Sequence, residues 1–199
     1  MSSGTDKAWE MLSGLNPGEV CGNASVSLDD KTSSYIIRSL GTDFSVSPEK
    51  RELKSQSQGG DYLINRFGYF FNHSVLWYLI GAKDIPASGR LIKPQSVKGG
   101  HHFFMGTHQL PLENLSEKYR DDRDGFIKKG LELGGRALDY GDASVELFPM
   151  PRVPVTLILW LSDKEFQARA DLLFDSTCEL HLPLDIIWSI AMMSVLAMF

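Results

Sequence analysis

Three of the chain's five histidines fall within eight residues: His101, His102 and His108, in the run Gly99-Gly100-His101-His102-Phe103-Phe104-Met105-Gly106-Thr107-His108. Imidazole binds zinc, iron, nickel or cobalt, and the Met105 thioether is a soft donor beside it. If residues 102–108 run as an extended strand, the even spacing places His102 and His108 on one face. Two kinds of site then come into view. A transition metal would take His101, His102 and His108. A haem or corrinoid would take His102, His108 or Met105, since axial ligation needs one such residue beside an apolar pocket. The spacing reproduces no standard zinc motif, and ordinary loop histidines are the plainer account of the same cluster.

Other residues that could do chemistry are weaker. Cys178-x-x-His181 has a ligand-like spacing without a second ligand pair, and a structural zinc needs four ligands. A buried cysteine and a surface histidine satisfy that pattern. Asp139, Asp142, Asp163 and Glu165 could supply an acid/base pair. Asp139 and Asp142 also suit a turn, and Ser162-Asp163-Lys164-Glu165 reads as a capping box at a helix start. No phosphate-binding glycine loop or serine nucleophile elbow occurs, so no catalytic residue is assigned. Trp160 and Trp188 read as core aromatics or as walls of a planar-cofactor pocket.

The elements that must position these residues are set by periodicity and punctuation. Trp9, Met11, Leu12 and Leu15 predict a helix over 7–15, stopped by Asn16-Pro17-Gly18; residues 22–34 are polar and turn-rich. Ser34–Arg38 and Phe44–Val46 flank a Gly41 turn as a hairpin. Residues 48–60 are charged and Ser/Gln-rich and read as a mobile loop. Leu76, Leu79 and Ile80 fit a core-facing helix within 62–80. Further helices are expected over 110–119 and 124–138. Val145–Phe148 alternates as a strand, and Pro149, Pro151 and Pro154 bend the chain beyond it. Val155–Leu161 suits a strand covered on both faces. The capping box then predicts a helix burying Phe166, Ala170, Leu173 and Phe174, and residues 186–199 predict a core helix. The sum is one α+β domain over 1–199, an antiparallel or mixed sheet packed against several helices.

Composition narrows the function classes. A chain of 199 residues suits one domain with a full hydrophobic core. The formal net charge of −5, with Lys and Arg scattered, argues against a nucleic-acid partner. Two cysteines, Cys21 and Cys178, fit a reducing compartment. The polar N-terminus lacks a signal-peptide run. The apolar run Ile186–Phe199 is 14 residues, short of the roughly 20 that span a bilayer as a helix. A cytoplasmic protein without a membrane span is the expectation.

A set of short motifs adds a family likeness. These are Gly89-Arg90, Gly99-Gly100, Leu133-Gly134-Gly135, Gly141-Asp142, the Pro151 to Pro154 run, Leu159-Trp160 with Asp163 to Phe166 after it, and Leu172 to Asp175. In this order they resemble domain-of-unknown-function family 3786, from about Trp9 to Trp188. That family is found mainly in anaerobic bacteria and archaea, sometimes near corrinoid or iron–sulfur components. Lys164 departs from the family's acidic pair before the Glu-Phe step. The resemblance implies a fold and a link to redox-cofactor metabolism, with no activity attached. Three function classes are open: an accessory protein binding a tetrapyrrole-type cofactor or a metal; an enzyme using a carboxylate pair or a His-bound metal; and an interaction module or homodimer docking through the Met-rich terminal helix.

Overall fold

A computed structural model describes residues 4–199. Met1 to Ser3, which the expected 1–199 domain includes, lie outside the described residues. Helix α1 (Gly4–Ser13) buries Ala8, Trp9 and Leu12 along one face. Helix α2 (Pro17–Ala24) comes after Asn16, whose side-chain oxygen accepts from the Gly18 and Glu19 amides. Pro17 fits the first turn because its missing N–H would have no helical partner there. The polar stretch after residue 22 is thus partly helix, held by its cap.

Four antiparallel strands form the first sheet in chain order: β1 (Ser27–Asp29), β2 (Ser34–Ser39), β3 (Thr42–Ser47) and β4 (Glu52–Ser55). Leu40 and Gly41 both hold positive φ, 45° and 77°, between β2 and β3. That is the backbone of a two-residue hairpin turn whose twist matches its strands. Tyr35, Ile37, Phe44 and Val46 are buried. The expected loop over 48–60 is instead a turn, strand β4 and the start of a helix, with Leu53 opposite Val46. Strand pairing needs only backbone groups, and the charged Glu52 and Lys54 suit a sheet edge.

Helix α3 (Gln58–Gly81) is capped by the Ser57 hydroxyl and breaks its regularity at Gly68, with φ 49° and ψ −120°. Strand β5 (Leu91–Ile92) leads into a 3-10 turn at Pro94–Ser96. Then come α4 (Gly100–Phe103), α5 (Leu112–Lys118), α6 (Arg123–Glu132), β6 (Arg136–Leu138), β7 (Ala143–Met150) and β8 (Val153–Trp160). The helix expected over 124–138 stops at the Gly134-Gly135 pair, and its last residues are a strand. Strand β9 (Arg169–Asp175), helix α7 (Cys178–His181) and helix α8 (Leu184–Ala197) complete the chain.

The second sheet has the order β5-β9-β8-β7-β6, antiparallel at every pairing. The α+β class expected from the sequence is the one observed. The capped helix expected after Ser162 does not form. Asp163 Oδ1 accepts from the Glu165 and Phe166 amides at 2.8 and 2.7 Å, closing a side-chain turn in a loop. Phe166 is 70% exposed there. Leu172 and Phe174 lie in β9 opposite Leu157 and Val155.

The core lies between the second sheet and the helices. Val145, Leu147, Val155, Leu157, Leu159, Leu172 and Phe174 are all buried, and α8 packs against α3, β7 and β8. Polar ties bind the layers. The Tyr78 hydroxyl on α3 donates to the Ala24 carbonyl at 2.7 Å and accepts from the Arg152 amide at 3.1 Å. The Arg152 guanidinium reaches the Asn23 and Gly22 carbonyls at 2.7 and 3.0 Å and pairs with Asp84. A planar fork of donors suits that set better than an ammonium would. Among the described residues, no helix is long and apolar enough to cross a membrane.

Candidate functional site

The histidine-rich stretch is helix and turn, not strand. Gly99 holds φ 79°, and a Cβ on Gly100 would collide with the Pro94 carbonyl oxygen. Only glycine lets the chain pack this closely as it enters α4. The stretch then passes through Met105 into a 3-10 turn at Gly106–His108. The even-spacing argument for His102 and His108 therefore fails, because it holds only for extended backbone.

The three histidines have different surroundings. His101 and His102 are exposed, their rings perpendicular at 5.0 Å. The His108 ring stacks on Phe103 at 4.3 Å and meets Trp188 edge-on at 5.1 Å. The Trp188 indole N–H donates to the His108 carbonyl at 2.8 Å, so α8 holds both backbone and ring. Met105 turns elsewhere, 59% exposed, into a groove on another side of the segment. Among the described residues, no three His, Cys, Asp or Glu side chains gather closely enough to hold a metal ion.

The surroundings of His108 are aromatic. Trp188 lies 6.0 Å from Phe70, which meets Tyr69 at 5.9 Å; Tyr69 stacks on His73 at 5.0 Å, and His73 contacts Trp77 at 6.1 Å. Phe70 and Tyr69, just after the Gly68 break, are 51% and 57% exposed. Burial lowers the His73 pKa, with Asp185 opposing. This continuous face was not legible in the sequence, because its rings come from α3, α4, the turn at His108 and α8.

The groove on the other side has a volume of about 530 Å³. Phe104, Met105, Leu110 and Leu112 supply apolar wall, Lys93, Gln95 and Glu113 polar wall, and Asp171 to Leu173 its β9 side. None of the three candidate histidines lines it.

Two of the four acidic candidates serve the backbone. Asp163 closes its turn, Asp142 Oδ2 accepts from the Leu161 amide at 2.8 Å, and Asp139 and Glu165 are exposed. Cys178 is buried, and desolvation pushes its thiol pKa up to about 12. His181, expected at the surface, is only 2% exposed. Its Nδ1 accepts from the Lys83 amide at 3.3 Å, because α7 turns the ring inward beneath the end of α3. Burial, then the Arg152 and Lys83 charges, lower its pKa, with Asp175 opposing.

Asp175 was missed as a key residue. It is 2% exposed, and its Oδ1 accepts from the amides and hydroxyls of Ser88 and Thr177 at 2.7–3.0 Å. Its Oδ2 accepts from the Gly89 amide at 2.7 Å. Burial alone would raise its pKa, but these donors outweigh it and the carboxylate stays ionised below its ordinary range. An acid ending the apolar run Leu172-Leu173-Phe174 was the available signal.

A family model described as "Domain of unknown function (DUF3786)" matches residues 16–197. No curated protein and no solved structure matches the chain.

Proposed function

The chain belongs to the DUF3786 family of domains of unknown function, and from that premise we propose that it is an accessory protein holding a planar tetrapyrrole-type cofactor, haem or corrinoid, at the aromatic face around His108. The single observation that carries this reading is the His108 ring, backed by Phe103 at 4.3 Å and flanked by Trp188 at 5.1 Å, next to exposed Phe70. An imidazole beside flat apolar surface is the kind of residue that would hold such a ring system. The Trp188 bond to the His108 carbonyl would keep that imidazole oriented, as an outer partner orients a metal ligand. A bound macrocycle would supply redox or axial-ligand chemistry of its own. The reading assigns the ligand role to His108. His101 and His102 fall outside the ring cluster, and Met105 belongs to the groove.

The test is a titration of the protein, purified without oxygen, with haem and with cobalamin. One equivalent should shift the Soret or corrinoid band. His108→Ala should weaken binding by at least about tenfold, the scale of one lost ligand or its outer partner, while His102→Ala leaves it unchanged. No spectral change with either compound, or equal binding by His108→Ala, overturns the reading.

A further inference from the structure

Phe166, in the loop between β8 and β9, is the most exposed large apolar side chain among the described residues, at 70%. Its turn is fixed. Asp163 Oδ1 accepts from the Glu165 and Phe166 amides, and the Asp163 amide donates to the Phe166 carbonyl at 3.0 Å. The base of the loop is tied down as well. The Ser162 amide donates to the Arg120 carbonyl at 3.1 Å, and the Ser162 hydroxyl donates to Asp121 at 2.7 Å. A single exposed apolar side chain is ordinary. A ring held out by a hydrogen-bonded turn has little backbone freedom left to lose on binding.

The groove lies at the other end of α5. Leu112 and Glu113, which begin that helix, line the groove, and Arg120, just after its last turn, holds the loop. Helix α5 has seven residues, roughly 10 Å of rise, so the ring and the groove are neighbours. Their charges match. Lys164 and Glu165 precede the ring, Lys93 and Glu113 stand at the groove, and all four are exposed. Among the described residues, none of the four belongs to an ion pair. We propose that two copies of this chain pair about a two-fold axis, each seating Phe166 in the other's groove. A projection and a recess lying close together make a self-complementary patch, and an axis passing between them satisfies both contacts at once. Phe104, Leu110 and Leu112 receive the ring, and the exposed Met105 thioether folds onto it. The ring brings Lys164 toward Glu113 and Glu165 toward Lys93, at a rim where such charges fix register more than affinity. The contact lies away from His108 and does not depend on the cofactor reading.

Sedimentation equilibrium of the full chain tests this, and the expected result is a reversible dimer. Phe166→Ser on one side of the contact and Met105→Glu on the other should each weaken it by at least about tenfold, the scale of one apolar side chain left unburied. Both positions are exposed, so circular dichroism should be unchanged in either variant. A photoreactive phenylalanine analogue at position 166 should join two chains on illumination. Mass spectrometry of a mixture of isotope-labelled and unlabelled protein should place that cross-link between chains, at Phe104, Met105, Leu110 or Leu112. A groove that takes a small molecule or another protein instead leaves the purified chain monomeric, and a monomer at every concentration overturns the proposal. So does a dimer indifferent to both substitutions, or a cross-link that falls outside the groove.

Discussion

Gly41 and Gly134 meet backbone to backbone where the hairpin turn of the first sheet reaches the end of α6. A Cβ on Gly134 would lie 2.5 Å from the Gly41 Cα, and one on Gly41 would lie 2.9 Å from the Gly134 nitrogen. Both residues also hold positive φ, 77° and 70°. The neighbouring Leu40 amide donates to the Phe148 carbonyl at 2.9 Å, so the approach is pinned on both sides. Gly134→Ala therefore meets a clash and a strained backbone together. The expected cost is about 2–3 kcal/mol, read as a lower urea midpoint. An unchanged midpoint would mean that the contact opens freely.

Asp175 gathers five donors from the Ser88-Gly89 loop and from Thr177 at the start of α7. Asp175→Asn keeps the shape but loses the charge, and turns one acceptor into a donor facing another N–H. Bonds to a charged group contribute roughly 1.5–3 kcal/mol, so a loss on the order of 3 kcal/mol is expected in thermal melts. Faster amide exchange at Gly89 should accompany it, because that amide bonds Oδ2 directly. Slow exchange at Gly89 in the variant would refute the assignment.

His181 sets an acid limit on stability. Its folded-state pKa lies below the ordinary 6.5, chiefly through burial. The unfolded chain therefore binds the proton first as the pH falls below 6.5, and stability declines from there toward the folded value. His73 carries a shift of the same sign. Urea midpoints should fall between about pH 8 and about pH 5, and His181→Gln should flatten part of that slope. A midpoint independent of pH across this interval would contradict the buried neutral imidazole.

The two thiols should differ in reactivity. Cys178 is fully buried with its pKa pushed up to about 12, whereas Cys21 is partly exposed and only moderately desolvated. Thiolate is the reactive form, so a thiol-specific disulfide reagent should modify Cys21 alone in the native protein and both residues in denaturant. Two fast native thiols would show that α7 opens readily.

Much of the framework is legible in the residues, and the failures share a cause. The 34–46 hairpin, α3 and α8 carry their periods within a few turns or strands. The segment after Ser162 matched a capping box, yet Asp163 gave the same local hydrogen bonds to a loop turn. Ala170–Asp175 is a strand because of the ladder offered by β8, which no local pattern encodes. Strand β4 was hidden likewise, because its partner supplies the reason to be extended. At the candidate site, even spacing puts His102 and His108 on one face only in extended backbone, and the segment is helix and turn. The turn there depends on the positive φ of Gly99 and on Gly100 packing against Pro94, a contact that residue types suggest only after the turn is known.

Helix α8 is translated after every element it packs against, and most of its surface is interior. On the ribosome, α3 and the β7–β8 pair must wait with their apolar faces uncovered until it emerges. The second sheet can pair before then, but its core cannot close until α8 packs against α3, β7 and β8. Nascent chains halted before Leu184 should accordingly bind chaperones that capture exposed apolar surface.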